Sequence, residues 1–140
     1  MSTRAQRYAG IVGGHMNPNI HVRDITEVQM LKEARDLLLD SEWIQGMNAG
    51  IKRWKVLRCS PMDKRANAFS LRGACIRVLK PSQRELSVEF HNDTGPSMLI
   101  NKALGFKDGY ELNEWNDNTE RTKDDVINHI NHCIYIREGS

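Results

Sequence analysis

Apolar side chains recur at helical spacing in the first third of the chain and predict a helix over residues 25–40. The stripe consists of Met30, Leu31, Ala34, Leu37 and Leu38. Asp24 stands three residues before Glu27, which is the spacing of a capping box at a helix N-terminus. We therefore expect a helix that begins next to Asp24 and buries this stripe.

Two further helices follow from the same spacing, over residues 66–79 and over residues 97–104. Pro81 ends the first of them, and Gly105 supplies the C-terminal stop of the second. Gly73 lies inside the first helix, where glycine costs about 1 kcal/mol relative to alanine. We therefore expect close packing at Gly73, because a near neighbour would compensate for that cost.

Between these helices the pattern is typical of strands. Residues 51–59 place Trp54 and Val56 on one face and predict a strand. A short second strand is predicted at residues 110–112, where apolar side chains alternate. Residues 83–91 stay open between a strand and a short helix, because their apolar residues alternate while their charges also suit a helix.

The last third of the chain combines a polar loop with a capped helix. Asn and Asp side chains fold turns, so residues 115–117 are predicted as a loop in which Asp117 pairs with Arg121. Thr122 can cap the final helix, and Asp125 stands at the matching capping-box position. The apolar stripe of this helix is Val126, Ile127, Ile130, Cys133 and Ile134. We expect the Trp115 side chain to be buried against this helix.

These elements predict an α+β fold, a mainly helical single domain of about four helices with a small two- to three-stranded β element. A chain of 140 residues fits one domain. We place that domain at residues 24–137. Residues 1–23 are rich in glycine and polar residues and are expected to form an N-terminal tail or arm.

Composition narrows the class of protein. The hydrophobic fraction is 39% and the charged fraction 27%, as in ordinary globular domains. No apolar run approaches the roughly 20 residues of a membrane span, and no secretory signal pattern is seen. Three cysteines are an odd number and do not make a disulfide framework. We therefore expect three reduced thiols and a cytoplasmic protein, in the host cytoplasm or the virion if the gene is phage-encoded.

Positive charge is concentrated in one segment of the chain. Residues 52–84 hold ten cations and one acid, a net charge of +9, whereas the whole chain carries only +2. Such asymmetry suits a polyanion or an acidic partner surface. The candidate macromolecule-binding residues are Lys52, Arg53, Trp54, Lys55, Arg58, Lys64 and Arg65. The alternative is a solvated face that pairs with the acidic C-terminal third of the same fold.

Few residues form a pattern that indicates metal binding or catalysis. His129, His132 and Cys133 lie on the last helix at spacings that can share a face. Zinc sites usually show paired short spacings, and the chain has neither a C-x-x-C nor an H-E-x-x-H motif. Cys59 and His91 are not joined by any nucleophile pattern. We therefore assign no catalytic residue, no metal ligand and no cofactor.

Three motifs resemble a bacterial and phage family of uncharacterised proteins, a domain of unknown function. They are Trp43-Ile44-Gln45-Gly46, Leu71-Arg72-Gly73-Ala74, and Trp115-Asn116-Asp117 continuing through Arg121-Thr122 to Asp125-Val126. Their order and spacing agree over about residues 30–135. The family often has cysteine where this chain has Ile44 and Ser70. The resemblance implies a small accessory domain, and it implies that Trp43, Gln45, Asp117 and Arg121 form one structural or ligand-binding cluster.

The interpretation that follows is a non-enzymatic phage or bacterial accessory protein, either an assembly component or a modulator of host machinery. It would bind a protein partner or assembly through its basic surface, without a membrane, and it could form a homo-oligomer. A nucleic-acid-binding protein is one alternative, with Trp43 and Trp54 stacking on bases. A small-ligand or nucleotide-binding protein is another. Its candidate residues are Trp43, Gln45, Trp115, Asn116, Asp117 and Arg121.

Overall fold

Five helices and a four-stranded sheet make up the described part of the protein, which a computed structural model defines at residues 21–82, 85 and 95–139. The first half of the chain contains α1 (Glu27–Asp40), β1 (Glu42–Trp43), β2 (Ala49–Lys52), β3 (Val56–Arg58) and β4 (Ala68–Phe69). The second half contains α2 (Leu71–Leu79), α3 (Gly95–Leu104), α4 (Gly109–Asn116) and α5 (Lys123–Glu138). The predicted mainly helical α+β class is confirmed, with one more helix and one more strand than expected.

The N-cap of α1 lies two residues after the predicted one. Thr26, not Asp24, is the N-cap, and its hydroxyl oxygen accepts a hydrogen bond from the Gln29 N–H at 3.1 Å. Glu27 is buried and forms an ion pair with Arg137 of α5 at 3.0 Å. The prediction was wrong at this point because the Glu27 carboxylate has a cationic partner on another helix.

The predicted strand over residues 51–59 is a hairpin. The chain reverses at residues 53–55, where the Arg53 N–H donates to the Lys55 carbonyl oxygen, so β2 and β3 pair antiparallel. Trp54 therefore lies at the hairpin tip and shares no strand face with Val56. The sheet order is β1-β4-β2-β3, with β1 and β4 parallel and the other pairs antiparallel. Strand β3 thus forms one edge.

The predicted helix over residues 66–79 divides into β4 and the shorter helix α2. Ser70 separates the two elements, and its hydroxyl oxygen caps α2 by accepting from the Gly73 N–H at 3.0 Å. A Cβ atom at Gly73 would lie only 1.7 Å from the carbonyl oxygen of Asn48. The expectation of close packing at this glycine is therefore confirmed.

Of the two elements predicted over residues 97–112, the helix is confirmed and the short strand is wrong. Helix α3 covers the predicted helix, and Gly105 after it has a φ of +79°, a left-handed stop that glycine adopts without strain. The predicted strand at residues 110–112 is wrong, because these residues belong to α4. The carboxylate of Asp108 accepts from the Glu111 N–H at 2.8 Å and starts that helix. The open alternative at residues 83–91 lies outside the described residues, apart from Glu85.

The final helix has the predicted cap. The Thr122 hydroxyl accepts from the Asp125 N–H at 3.1 Å, and the Asp125 carboxylate accepts from the Thr122 N–H at 2.9 Å. Helix α1 packs against both α2 and α5, and the core extends from these helices to β4, α3 and α4. The largest fully buried side chains include Met30, Leu31, Leu38, Phe69, Leu71, Ile76, Leu79, Ile100, Leu104 and Leu112.

The predicted domain boundary at residue 24 stays a prediction, since only His21 to Arg23 of the tail are described. Within that short stretch Val22 is buried in the core, and the Arg23 N–H donates to the Leu79 carbonyl oxygen at 2.7 Å.

Among the helices of the described residues, none has both the length and the apolar character needed to cross a membrane.

Candidate functional site

Asn116 is the last residue of α4, and its side chain connects this helix to β1 and to the start of α2. Its Oδ1 accepts from the Trp43 indole N–H at 2.8 Å and from the Leu71 N–H at 3.0 Å. Its Nδ2 donates to the Ile44 carbonyl oxygen at 3.2 Å and to the Asp117 carboxylate at 2.9 Å. All four hydrogen-bonding positions of the amide are thus used, and Asn116 is only 1% exposed.

The chain after β1 is held to the end of α4 by three more hydrogen bonds. The Gln45 side chain donates to the carbonyl oxygens of Asn116 at 3.0 Å and Asn118 at 2.7 Å. The Gly46 N–H donates to the Asp117 carboxylate at 3.0 Å. We call the group Trp43, Gln45, Gly46, Asn116 and Asp117 the Asn116 junction. It brings together four of the six predicted ligand-binding residues, which bind one another and neighbouring backbone groups.

The predicted loop over residues 115–117 is wrong, because Trp115 and Asn116 end α4 and Asp117 is its C-cap. The expected pair of Asp117 with Arg121 is also not formed. Arg121 Nε donates to the Trp115 carbonyl oxygen at 2.9 Å, and the guanidinium carbon lies 3.9 Å from the centre of the Trp115 ring. Such stacking on an aromatic face is favourable for a guanidinium. Trp115 and Arg121 therefore form their own cluster beside the junction.

Trp115 also packs toward α5, as predicted. Its ring lies 4.9 Å from that of His129 and 5.7 Å from that of Phe106, measured between centroids. His129 Nε2 lies 2.8 Å from the Leu104 carbonyl oxygen, which can only accept, so this nitrogen carries the proton. The Cys133 thiol, 3.6 Å from the same nitrogen, consequently cannot transfer its proton to it.

The three thiols are free, and burial raises the pKa of each. The pKa of the fully buried Cys75 rises to about 12. A raised pKa disfavours the thiolate, which is the nucleophilic and metal-binding form. Within residues 21–82 and 95–139, no group of three or more His, Cys, Asp or Glu side chains is placed to hold a metal ion.

A polar cleft of about 200 Å³ opens beside the Asn116 junction. Its walls come from the segment after β1, from β3, from the start of α2 and from α4. They include Met47, Asn48, Arg58, Ser70, Arg72 and Asn113, together with Gly46, Asn116 and Asp117 of the junction. Asn48, Ser70, Arg72 and Asn113 were not predicted as site residues, because they converge from distant segments without a local motif.

The basic hairpin is the second candidate surface. We use this name for residues 52–58, in which only Val56 is not exposed. Trp54 at the tip is 85% exposed, and the Lys55 ammonium lies 4.7 Å from the centre of its ring. Leu57 on β3 is 52% exposed and was not among the predicted binding residues. The alternation along β3 was the signal that could have found it.

The rest of the basic segment does not form one patch with this hairpin. Arg72 is buried and donates to the Ser97 hydroxyl, and Arg77 donates to the carbonyl oxygens of Pro61 and Asp63. Lys52 pairs with Glu42, and Arg65 pairs with Asp63. The alternative of pairing with the acidic C-terminal third is not observed, since no ion pair among the described residues joins residues 52–82 to residues 95–139.

Comparison with known families matches residues 22–135 to the family of unknown function DUF6197. The chain belongs to this family. No curated protein matches the chain. No solved structure matches it either. The membership agrees with the resemblance to an uncharacterised domain, and the DUF6197 region includes both the Asn116 junction and the basic hairpin.

Proposed function

We propose that this DUF6197 protein is a non-enzymatic binding protein whose basic hairpin contacts an acidic macromolecular partner. The observation that carries the proposal is the exposure of Trp54, which is 85% accessible between Arg53 and Lys55. A large aromatic side chain with flanking cations is the kind of anchor that dominates binding energy at protein interfaces. Burying Trp54 in its own fold would be favourable, so its exposure supports a partner that covers it.

The charge of the hairpin indicates the sign of the partner. Arg53, Lys55 and Arg58 of the hairpin take part in none of the ion pairs formed among the described residues. Arg58 makes only a weak 3.3 Å hydrogen bond to the Gly46 carbonyl oxygen. Cations that form no ion pair among the described residues attract an acidic surface and accelerate its association.

A protein fits this surface better than a nucleic acid does. Stacking on successive bases requires several accessible rings, and Trp43 was the predicted second ring. Trp43 is only partly exposed, packs against the core and donates its indole N–H to Asn116. Leu57, three residues after Trp54 in the same hairpin, adds exposed apolar area instead. We therefore propose a protein partner or assembly of a phage or bacterial accessory system, with the compartment being the cytoplasm or virion.

The test is a charge reversal at the hairpin. The double variant Arg53→Glu with Lys55→Glu is compared with Lys102→Glu and Lys107→Glu, two exposed lysines elsewhere that give the same change in net charge. Polyglutamate and a single-stranded oligonucleotide of equal charge are titrated against each protein by NMR. We expect polyglutamate to bind the parent chain and the control but not the hairpin variant. Equal binding by all three proteins would refute the proposal, and preference for the oligonucleotide would favour a nucleic-acid partner.

The polar cleft supports a second candidate function, the binding of a small polar ligand. Arg58 and Asp117 bring opposite charges to its walls, and the side-chain amides of Asn48 and Asn113 form no hydrogen bond within the described residues. A panel of nucleotides and amino acids tested by thermal shift would reveal such a ligand. A stabilising compound should lose its effect in Asn113→Leu, which fills the cleft, and keep it in the exposed variant Tyr110→Leu.

A further inference from the structure

Strand β3 presents an open edge whose hydrogen-bonding direction follows from its register. The Cys59 N–H donates to the Ala49 carbonyl oxygen, and the Arg53 N–H donates to the Lys55 carbonyl oxygen, each at 3.1 Å. Hydrogen-bonded pairs alternate along an antiparallel ladder, so Ile51 and Leu57 form the bonded pair between these two. The backbone groups of Leu57 therefore point toward β2.

The two neighbours of Leu57 consequently point the other way. The register pairs Val56 with Lys52 and Arg58 with Gly50, and these are the non-bonded pairs of the ladder. On the far side of β2, Gly50 and Lys52 both bond to Asn67, as this alternation requires. The N–H and carbonyl groups of Val56 and Arg58 thus face the open edge, and no partner for them lies within the described residues.

Charged side chains often protect such edges from aggregation, so the cations alone are not decisive. A purely protective edge would not also expose apolar side chains, yet Leu57 and the adjacent Trp54 are both accessible. Lysine and arginine side chains repel a second copy of this edge but attract an acidic strand. The combination of outward backbone groups, apolar side chains and cations favours an added strand of opposite charge.

Resting on the proposed function, we propose that the partner contributes an extended acidic segment that pairs with the open edge of β3. The backbone of Val56 and Arg58 supplies the hydrogen bonds of this added strand. Leu57 and Trp54 contact its apolar side chains, and Arg53, Lys55 and Arg58 contact its carboxylates. Strand addition of this kind takes affinity from main-chain bonds and specificity from alternate side chains.

The experiment uses the full chain and a nine-residue peptide in which glutamate alternates with valine. The key variant is Arg58→Pro, which removes the outward N–H without touching the bonds between β2 and β3. Proline is tolerated at an edge when its N–H position faces solvent, and the extended residue Leu57 before it suits this change. Arg58→Ala is the matched control, because it removes the guanidinium and keeps the N–H.

Both variants lose the guanidinium charge, and Arg58→Pro also loses a main-chain hydrogen bond to the peptide. We therefore expect Arg58→Pro to weaken peptide binding about tenfold more than Arg58→Ala does. A peptide of the same sequence with methyl groups on alternate backbone nitrogens should not bind. In the parent chain, the peptide should slow hydrogen exchange at the Val56 and Arg58 amides. If Arg58→Pro does not fold, hydrogen exchange in the parent chain tests strand addition by itself.

Failure of strand addition and failure of the basic contact surface give different results. If Arg58→Pro and Arg58→Ala bind equally and the Val56 and Arg58 amides stay unprotected, strand addition is wrong. In that case, loss of binding in the double variant of Arg53 and Lys55 would still uphold a basic contact surface. If that double variant also binds the peptide normally, both the inference and the proposed function fail. Equal binding of the methylated peptide refutes strand addition alone.

Discussion

The indole N–H of Trp43 donates a hydrogen bond of 2.8 Å to the side-chain oxygen of Asn116, which lies 73 residues later in the chain. The same oxygen accepts the Leu71 N–H, the first backbone donor of α2. One buried amide thus connects strand β1, the start of α2 and the end of α4. Its role is to hold the framework on which the polar cleft is built.

The first prediction concerns the Asn116 junction. Asn116→Ala leaves the Trp43 indole N–H, the Leu71 N–H and the Ile44 carbonyl oxygen without their partner. Each buried group that loses its partner costs about 1–3 kcal/mol, so we expect a loss of stability of about 3 kcal/mol or more. Urea unfolding of the variant and the parent chain measures the difference.

Asn113→Ala is the control for that prediction. Asn113 lies one turn earlier on α4 and lines the cleft, but its side-chain amide makes no hydrogen bond within residues 21–82 and 95–139. Its replacement should cost less than about 1 kcal/mol, as is usual for a side chain without such contacts. Equal losses for the two variants would contradict the structural role assigned to Asn116.

The second prediction concerns Gly73. Alanine favours helices over glycine by about 1 kcal/mol, so propensity alone predicts that Gly73→Ala stabilises α2. The Asn48 carbonyl oxygen, 1.7 Å from the added Cβ, reverses this expectation. We expect a loss of at least about 3 kcal/mol, because a buried backbone must move. Thermal unfolding in a calorimeter would show it.

Gly46→Ala provides the comparison. Gly46 has a φ of +78°, and an added Cβ would meet nothing within 4 Å. Only the left-handed conformation is then unfavourable, at about 1–2 kcal/mol. The Gly73 variant should therefore be the less stable of the two, and the reverse order would show that α2 can shift away from Asn48.

The third prediction is a pH dependence at Asp63. Hydrogen bonds from the Arg65 side chain, at 3.0 and 3.1 Å, and from its backbone N–H hold the pKa of Asp63 at about 2, below its ordinary 3.8. A lowered pKa means that this contact stabilises the fold above about pH 4 and is lost as the pH falls through 2. The Asp63 carboxyl should titrate near pH 2 by NMR.

Replacing the partner gives the check. In Arg65→Gln the Asp63 pKa should rise toward 3.8, and the difference in stability between this variant and the parent chain should shrink as the pH falls through 2. A titration that is the same in both proteins would show that the ion pair does not form in solution.

The fourth prediction concerns thiol reactivity. Cys75 is fully buried with a pKa of about 12, so it should not react with iodoacetamide at pH 8 in the folded protein. Cys59 is only half-buried and should be modified first. Mass spectrometry after digestion locates the label, and all three cysteines should react once the chain is unfolded in guanidinium. Early labelling of Cys75 would contradict its burial.

Local chemistry was enough to predict some elements from the sequence. The Thr122 and Asp125 capping box forms between residues three apart, so its spacing alone is diagnostic. The stripe of α1 and the stop at Gly105 depend in the same way on helical period and on backbone conformation. These features hold in the fold because no distant residue competes for them.

Distant contacts decided the rest. Glu27 matched a capping position but binds Arg137, which lies 110 residues away, so Thr26 caps α1 instead. Residues 115–117 carry turn-forming side chains, yet Asn116 is the end of a helix because its amide meets Trp43, Ile44 and Leu71. No spacing in the sequence encodes such partners, since they become neighbours only when the chain folds.

The candidate sites also combine features that follow from local sequence with features that follow from distant contacts. The basic character of residues 52–84, the position of Trp54 among cations and the cap at Thr122 can all be read from the order of the residues. The burial of Arg72, the hydrogen bonds of Arg77 to backbone carbonyls and the exposure of Trp54 at a hairpin tip depend on the folded chain. Charge is a property of each residue, whereas exposure depends on which distant segments pack around it.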